Sequence, residues 1–189
     1  MILRGKNIVL GIGRGIAAHK CCDLVRRLRE GAAEVFVVMT RAATRFVTPL
    51  TFQTLSGHPV STDLFNQTQE GLIDHIALAD KADLVVIAPA TADLLAKISH
   101  GLCDDLLTTL VCASQAPLLI VPSMNVHMWQ NPITQENVSR LKGHGYQLLE
   151  PAEGSLACGY EGKGRLPEPE QLVREIEKVF ATKKIRKIK

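Results

Sequence analysis

The sequence predicts a doubly wound α/β fold, in which a parallel sheet lies between two layers of helices. Short β-rich runs alternate with helical patterns along the whole of the 189 residues. Several of these runs are apolar without alternation, which is typical of strands that are covered on both faces. Together these patterns predict a Rossmann-like (flavodoxin-like) three-layer sandwich with right-handed crossovers.

The individual elements follow from the same patterns. Strands are predicted over residues 7–11, 34–39, 83–88, 118–122 and 146–149. The first helix is predicted over residues 15–30, where an apolar stripe that includes Cys21 ends at Gly31. Further helices are predicted near residues 49–55, 93–99, 104–113, 133–143 and 168–180. Residues 153–168 are glycine-rich and are predicted to form a flexible flap without regular structure.

Composition limits the classes of protein to consider. Hydrophobic residues make up 46% of the chain and charged residues 22%, as in a single globular domain with a sizeable core. The formal net charge of +3 does not favour a nucleic-acid partner. No apolar stretch has the length of a membrane span, and no signal peptide is recognised, so no membrane partner is expected. We predict one domain over residues 1–181, followed by a basic tail or the start of a linker over residues 182–189.

The cysteines predict a reducing, cytoplasmic location. They number five, which is odd, and no two form a C-x-x-C pair. Cys21 and Cys112 are predicted to pack on apolar helix faces. Cys158 stands beside Gly159 in the predicted flap, where a thiol could meet a substrate. No metal site is predicted, because no pair of histidines has ligand spacing supported by carboxylates.

A glycine-rich turn follows the first predicted strand. It contains Gly11, Gly13, Arg14 and Gly15 and opens the first predicted helix. Glycines there let backbone N–H groups approach an anion, and the helix dipole adds attraction. The spacing is not that of the dinucleotide motif, so the phosphate of a mononucleotide is favoured. A tight turn without a ligand is the alternative.

A second candidate segment is the buried run of residues 83–93, which ends in small side chains. We expect these side chains to leave room for a flat ring to approach the backbone. Thr91 is predicted to donate a hydrogen bond to that ring, and Asp93 to cap the next helix.

The third segment, residues 122–129, places the Asn125 amide where a strand ends, the usual ligand edge of an open α/β sheet. An amide there and a thiol in a flap indicate redox-assisted chemistry on a small carboxylate.

His75 lies just before a helix-like segment, and by itself it indicates only a surface or capping residue.

Four motifs occur in order at separations that resemble a known family. They are Gly15-Ile16-Ala17-Ala18-His19-Lys20, Ala88-Pro89-Ala90-Thr91-Ala92-Asp93, Pro122-Ser123-Met124-Asn125 and Ala157-Cys158-Gly159. The chain thereby resembles the homo-oligomeric flavin-containing cysteine decarboxylases, and among them the phosphopantothenoylcysteine decarboxylases, from Gly5 to about Phe180. It departs from them at Gly13-Arg14, where the family usually has Ser or Thr followed by Gly. His19 replaces a frequent Tyr and Ser123 a frequent Ala.

The resemblance implies bound FMN and the decarboxylation of 4′-phosphopantothenoylcysteine to 4′-phosphopantetheine in coenzyme A biosynthesis. In the family the cofactor oxidises the cysteine thiol to a thioaldehyde, CO2 leaves as an enethiolate forms, and the reduced flavin returns its electrons. The cofactor phosphate is expected at Gly11, Gly13, Arg14 and Gly15. The rest of the cofactor is expected near Thr40, Ala88, Pro89, Ala90, Thr91 and Ala92.

The resemblance also implies roles for individual residues. His75 matches the active-site histidine, Asn125 the amide that holds the substrate carboxylate, and Cys158 the thiol that donates a proton to the enethiolate. Substrate contacts are expected from Asn125 and from Met124, Met128 and Ala157.

The resemblance also implies partners. One is a second copy of the chain, in a homo-oligomer that is a trimer or an assembly of trimers with sites between subunits. The other is a phosphopantothenate–cysteine ligase domain that follows this one. The alternatives are a sister flavoprotein acting on a peptide's C-terminal cysteine or on an aromatic acid, a non-catalytic flavin-binding regulatory subunit, and a purely structural domain. The Met124-Asn125 pair and Cys158 weigh against the aromatic-acid branch, and the lack of a long acidic extension weighs against the regulatory subunit.

Overall fold

The computed structural model describes residues 2–64, 74–155 and 159–182. Its strands are β1 (Asn7–Ile12), β2 (Glu34–Met39), β3 (Leu84–Ala90), β4 (Leu118–Pro122), β5 (Gln147–Leu148), β6 (Ala152–Ser155) and β7 (Glu161–Arg165). Its α-helices are α1 (Lys20–Glu30), α2 (Pro49–Ser56), α3 (Asp74–Lys81), α4 (Ala92–His100), α5 (Leu106–Ala113), α6 (Val126–Gln130), α7 (Pro132–Gly143) and α8 (Pro169–Ala181). Two short 3-10 helices span Ile16–His19 and Ala43–Arg45.

The main sheet is parallel and has the strand order β2-β1-β3-β4-β5. The chain moves from β1 outward to β2, and then returns to the other side of β1 to form β3. This reversal is a topological switch point, and in open α/β sheets ligands bind outside the carboxyl ends of the strands at such a point.

Two hydrophobic cores cover the two faces of this sheet. Side chains alternate along β1, so that Leu10 packs with Leu24 of α1, Phe52 of α2 and Leu172 of α8. Val9 points to the other face, where α3, α4, α5 and α7 contribute the second core. Every residue of β3 is buried. The predicted doubly wound, three-layer architecture is confirmed.

The predicted strands of the main sheet are found within two residues of their expected ends. The first helix differs in its opening, since it begins as the 3-10 turn Ile16–His19 and becomes α-helical at Lys20. The helix α3 contains His75 as its second residue, so the expectation that His75 precedes the helix is wrong. No helix in the described ranges is long and apolar enough to cross a membrane.

The prediction of irregular structure over residues 153–168 is wrong. Strands β6 and β7 form an antiparallel hairpin in which Ser155 pairs with Glu161 and Gly154 with Gly162. Gly154 and Gly162 both have φ near +140°, which lies outside the range that strand-forming side chains adopt. The centre of the hairpin is therefore held by backbone pairing between glycines. Because glycine has no side chain, the sequence lacks the alternating pattern that predicts a strand.

The two cysteines predicted to pack on apolar helix faces have different environments. Cys21 is fully buried, its Sγ donates to the carbonyl oxygen of Ala88 at 3.1 Å, and burial raises the pKa of its thiol. Cys112 is exposed, so the prediction that it packs is wrong. The buried face of α5 is formed by residues that include Leu107, Leu110 and Val111, and residue 112 falls outside it.

Candidate active site

Three strand-end loops meet at the carboxyl edge of the sheet, at the switch point between β1 and β3, where folds of this kind have a ligand crevice. The N–H of Gly13, after β1, donates to the carbonyl oxygen of Pro89 in β3 at 3.1 Å. The N–H of Ser123, after β4, donates to the carbonyl oxygen of Ala90 at 2.9 Å. These bonds fix the relative positions of the three predicted motifs.

The β6–β7 hairpin is attached to the same edge through one carbonyl group. The oxygen of Gly164 accepts the N–H of Met124 at 3.0 Å and the hydroxyl of Ser123 at 3.2 Å. Gly164 thus positions the segment that carries Asn125. This role could not be predicted, since a backbone acceptor leaves no signal in the choice of side chains.

The glycines of the first turn have different environments. A Cβ on Gly11 would lie 2.4 Å from a methyl group of Leu107, and one on Gly13 would lie 2.4 Å from the carbonyl oxygen of Pro89. Gly13 therefore needs glycine for packing alone, because the atom it would meet is backbone, whereas a Cβ at Gly11 would require the buried Leu107 side chain to shift. Gly15 has φ 145° and nothing within 4 Å of a Cβ placed there. The open part of the turn is at Gly15.

Arg14 lies between these glycines with its side chain exposed. Within residues 2–64, 74–155 and 159–182 the guanidinium has no ion pair or hydrogen bond. Gly15 provides no side-chain cap for the helix that follows. The turn therefore presents a positive charge beside an uncapped helix start, a combination that attracts an anion.

The loop after β3 is built by Thr91, which begins α4. Its Oγ1 accepts the N–H of Leu94 at 3.3 Å, so Thr91 caps the helix and the prediction that Asp93 does so is wrong. Asp93 instead pairs with Lys97 at 3.7 Å. Because Thr91 Oγ1 accepts this bond, its hydroxyl hydrogen is the part that can donate to a ligand.

The other predicted cofactor positions are distributed around this loop. Ala88 and Ala90 are buried in the two opposite cores. Pro89 follows a cis peptide bond, and Ala92 is half-buried. Thr40 follows β2, and its N–H donates to the carbonyl oxygen of Ile12 at 3.1 Å. Thr40 therefore lies beside the glycine turn, at the edge where it is expected.

Asn125 is the N-cap of α6. Its Oδ1 accepts the N–H of His127 at 2.8 Å. A backbone N–H can only donate, so the oxygen of the amide must face it, and Nδ2 is the donor end of the side chain. The short helix α6 was not predicted, although an Asn at the end of a strand is also a capping signal.

The remaining predicted site residues lie on separate elements or outside the described residues. His75 lies on α3, which packs beside α5, and its Nδ1 is buried without a hydrogen-bond partner in the described structure. Met124 is half-buried beside the hairpin, whereas Met128 is exposed on α6. Cys158 and Ala157 lie outside the described residues.

Among the residues that the structure describes, no group of three or more His, Cys, Asp or Glu side chains is placed to hold a metal ion.

Comparison with protein families decides the relationship of the chain. The model of the Flavoprotein family matches residues 2–181. The chain belongs to the Flavoprotein family. Among curated relatives, this flavoprotein is 49% identical over 180 residues to the coenzyme A biosynthesis bifunctional protein CoaBC of Bacillus subtilis (strain 168). It is 46% identical over 173 residues to the protein of the same name from Escherichia coli (strain K12).

These alignments cover 95% and 92% of this flavoprotein but only 44% and 43% of the two relatives. The chain thus spans less than half the length of the CoaBC proteins that it matches.

Solved structures give the same relationship. A PPC decarboxylase mutant complexed with pantothenoylaminoethenethiol superposes with a TM-score of 0.85 at 32% identity, covering 95% of this chain and 100% of the other. The FMN-dependent cysteine decarboxylase SpaF superposes with a TM-score of 0.82 at 32% identity, covering 96% and 100%. The FMN-binding protein AtHal3 gives 0.83 at 32% identity, covering 95% and 99%.

Proposed function

We propose that this chain is an FMN-dependent decarboxylase that converts 4′-phosphopantothenoylcysteine to 4′-phosphopantetheine in coenzyme A biosynthesis. The observation that carries the proposal is the Asn125 amide, held at the carboxyl end of β4 beside the crevice between β1 and β3. About half of the residues are identical to those of CoaBC proteins over nearly the whole chain, which supports this substrate over that of a sister enzyme.

The residues around the crevice fit FMN. No atom fills the space beside Gly15, the Arg14 charge is unpaired in the described structure, and the hydroxyl hydrogen of Thr91 can donate. We assign the phosphate to Arg14 and Gly15 and the ring system to the loop over Pro89–Ala92, with Thr40 beside the turn. When bound, FMN supplies the two-electron oxidation of the substrate thiol and the return of those electrons after CO2 has left.

The substrate carboxylate is assigned to Asn125. The Nδ2 group donates to the carboxylate while Oδ1 holds the N–H of His127, so the amide cannot turn over without losing its cap. A neutral donor suits a group that must lose its charge as CO2 leaves, because a cation would stabilise the carboxylate more than the transition state. Met124 and Met128 border this position, and Ala157 follows from the family motif alone.

Proton transfers are assigned to His75 and Cys158. The imidazole of His75, whose Nδ1 has no hydrogen-bond partner in the described structure, is assigned as the base that accepts the proton of the substrate thiol, which is the first event of the reaction. Cys158 donates a proton to the enethiolate at the end, a role that rests on the family motif in the sequence. Neither role requires a metal ion.

The assembly is proposed to be a homo-oligomer, as a trimer or a set of trimers, with sites completed between copies. The apolar side chains of Ile16, Phe46 and Leu50 are exposed in the segments that follow β1 and β2. A neighbouring copy that covers them would bring another surface to the same site. The CoaBC relatives are about twice as long, so a phosphopantothenate–cysteine ligase domain is a further proposed partner, in the cytoplasm.

The experiment that tests the function is mass spectrometry of the FMN-supplemented protein with 4′-phosphopantothenoylcysteine. We expect 4′-phosphopantetheine to form. A peptide with a C-terminal cysteine is the parallel substrate, and turnover of the peptide alone would identify a sister decarboxylase. Bound FMN with no product from either substrate would favour the non-catalytic regulatory subunit.

A further inference from the structure

Two exposed cysteines lie next to each other on the helical layer, away from the strand-end loops. Cys103 is in the connection from α4 to α5, and Cys112 is in the last turn of α5. The Sγ of Cys103 is 3.8 Å from the carbonyl oxygen of Thr108. In an α-helix that carbonyl accepts the N–H of residue 112, so the Cys103 thiol lies against the helical turn that carries Cys112.

Hydrogen bonds and an ion pair hold the connection in this position. The hydroxyl of Thr109 donates to the carbonyl oxygen of Cys103 at 3.3 Å, and Asp104 pairs with Lys97 of α4 at 3.0 Å. The Cys112 thiol contributes to the raised pKa of Cys103, as expected of two sulfur atoms that lie close together. Two thiols placed in this way on the surface can react with each other without unfolding of the helix.

We propose that Cys103 and Cys112 form a reversible redox site that closes to an intramolecular disulfide. The oxidant is a low-molecular-weight disulfide of the glutathione type. The thiolate of one cysteine attacks the oxidant, forms a mixed disulfide and releases one small thiol. The second cysteine, as thiolate, attacks the protein sulfur of that mixed disulfide and releases the second small thiol. The two cysteines lose two protons and two electrons, and the oxidant gains the electrons.

The reaction has a defined pH dependence. Partial burial of the sulfur, and then the neighbouring Cys112 thiol, raise the pKa of Cys103. The thiolate is the attacking species, so the site is slow to react at neutral pH and its rate increases as the pH rises. In a reducing compartment both thiols stay reduced, and the bond forms only when oxidised small thiols accumulate. This site is independent of the proposed decarboxylation, which uses neither thiol.

The test is oxidation of the full chain by glutathione disulfide at several pH values, followed by alkylation, digestion and mass spectrometry. We expect a peptide pair linked through Cys103 and Cys112, lighter by two hydrogen atoms and restored by dithiothreitol. Its rate of formation should increase with pH. A wild-type protein in which both cysteines stay reduced, or both keep glutathione, would overturn the proposal.

Single variants separate a dithiol from two independent thiols. In Cys112→Ser, Cys103 should retain a stable glutathione adduct, and Cys103→Ser should trap the adduct on Cys112. Cys22→Ser, which removes a half-buried cysteine on α1, should leave the linked pair unchanged. A linkage to Cys22 or Cys158, or between two chains, in place of the Cys103–Cys112 pair would also contradict the proposal.

Discussion

The two polar atoms of the Asn125 amide have different partners in the proposed site. Its oxygen begins α6 by accepting the N–H of His127, and its NH2 group is assigned to the substrate. An aspartate at this position would keep the cap, since Asp and Asn are equally good N-caps. It would replace the donor by a negative charge. The helix and the binding function therefore respond differently to the same substitution.

Asn125→Asp should retain the stability of the protein and lose decarboxylation. We expect Tm to change little and turnover to fall by at least 100-fold, because two carboxylates would repel each other. Asn131→Asp is the matched control, since Asn131 caps α7 in the same way, by accepting the N–H of Ile133 at 3.0 Å. Turnover near that of the wild type in Asn125→Asp would remove Asn125 from the site.

Arg14→Ala should weaken FMN binding through the phosphate. A charge-assisted hydrogen bond contributes about 1.5–3 kcal/mol, so we expect Kd for FMN to rise by roughly 10- to 150-fold. Quenching of flavin fluorescence measures this directly. Riboflavin has no phosphate, and its affinity should be unchanged in the variant. Arg174→Ala, an exposed arginine on α8, is the control, and an equal loss for both flavins would contradict the phosphate contact.

At the scale of elements, the strands buried on both faces could be predicted because their sequences are unbroken apolar runs. β3 is the clearest example, since all of its residues are buried. The hairpin could not be predicted, because its centre pairs Gly154 with Gly162 and has no side-chain alternation. The helix α6 is too short to show helical periodicity, and its cap, Asn125, was interpreted only as a ligand.

The location of the site could be predicted from the sequence, but the contacts that shape it could not. Gly15 and Asn125 lie at strand ends, which topology alone identifies as the ligand edge of the sheet. The reasons for Gly11 and Gly13 could not be predicted, because they lie in contacts with Leu107 and Pro89, far away in the sequence. The position of His75 relative to the crevice also depends on how α3 packs, which no local pattern determines.

The contact between α1 and α8 should depend on pH. Lys20 donates to Glu168 at 2.7 Å and holds the pKa of that carboxyl below its ordinary value. A lowered pKa means that the charged carboxylate stabilises the fold above its ordinary pKa, near 4.3, and that this contribution is lost as the pH falls through the lowered value.

Glu168→Gln should therefore lower stability at neutral pH and have no effect in acid. The side chain is largely exposed, so we expect a difference of up to about 1 kcal/mol at pH 7 in urea unfolding, which disappears once the pH has fallen below the lowered pKa of Glu168. Glu175→Gln removes a pair made within α8 and is the control for helix charge alone. A difference that persisted unchanged in acid would show that Glu168 acts by something other than its charge.

At the scale of the whole molecule, exposed apolar side chains follow two neighbouring strands of the main sheet. Leu50, in the first turn of α2, is 68% exposed. Isolated exposed leucines are ordinary, but Ile16, Phe46 and Leu50 all follow the carboxyl ends of two adjacent strands. Their shared position indicates a surface that another copy covers.

Sedimentation velocity should give a species of three chains or a multiple of three. Leu50→Glu should dissociate it and should also weaken FMN binding, because the site is completed between copies. Ile2→Glu changes another exposed apolar residue, which precedes β1 and is 50% exposed, and should leave the assembly intact. A wild-type monomer that binds FMN tightly would contradict the shared site.

The β6–β7 hairpin has a consequence for how relatives of this fold diversify. Ser155 and Glu161 pair directly, so the two ends of the connection between them stand side by side. The carbonyl group of Gly164 anchors the hairpin to the strand edge without using that connection. A segment of another length or composition can therefore be grafted between Ser155 and Glu161 while the sheet, its cores and the Asn125 cap stay as they are. Evolution can therefore change the residues of this connection at little cost to folding.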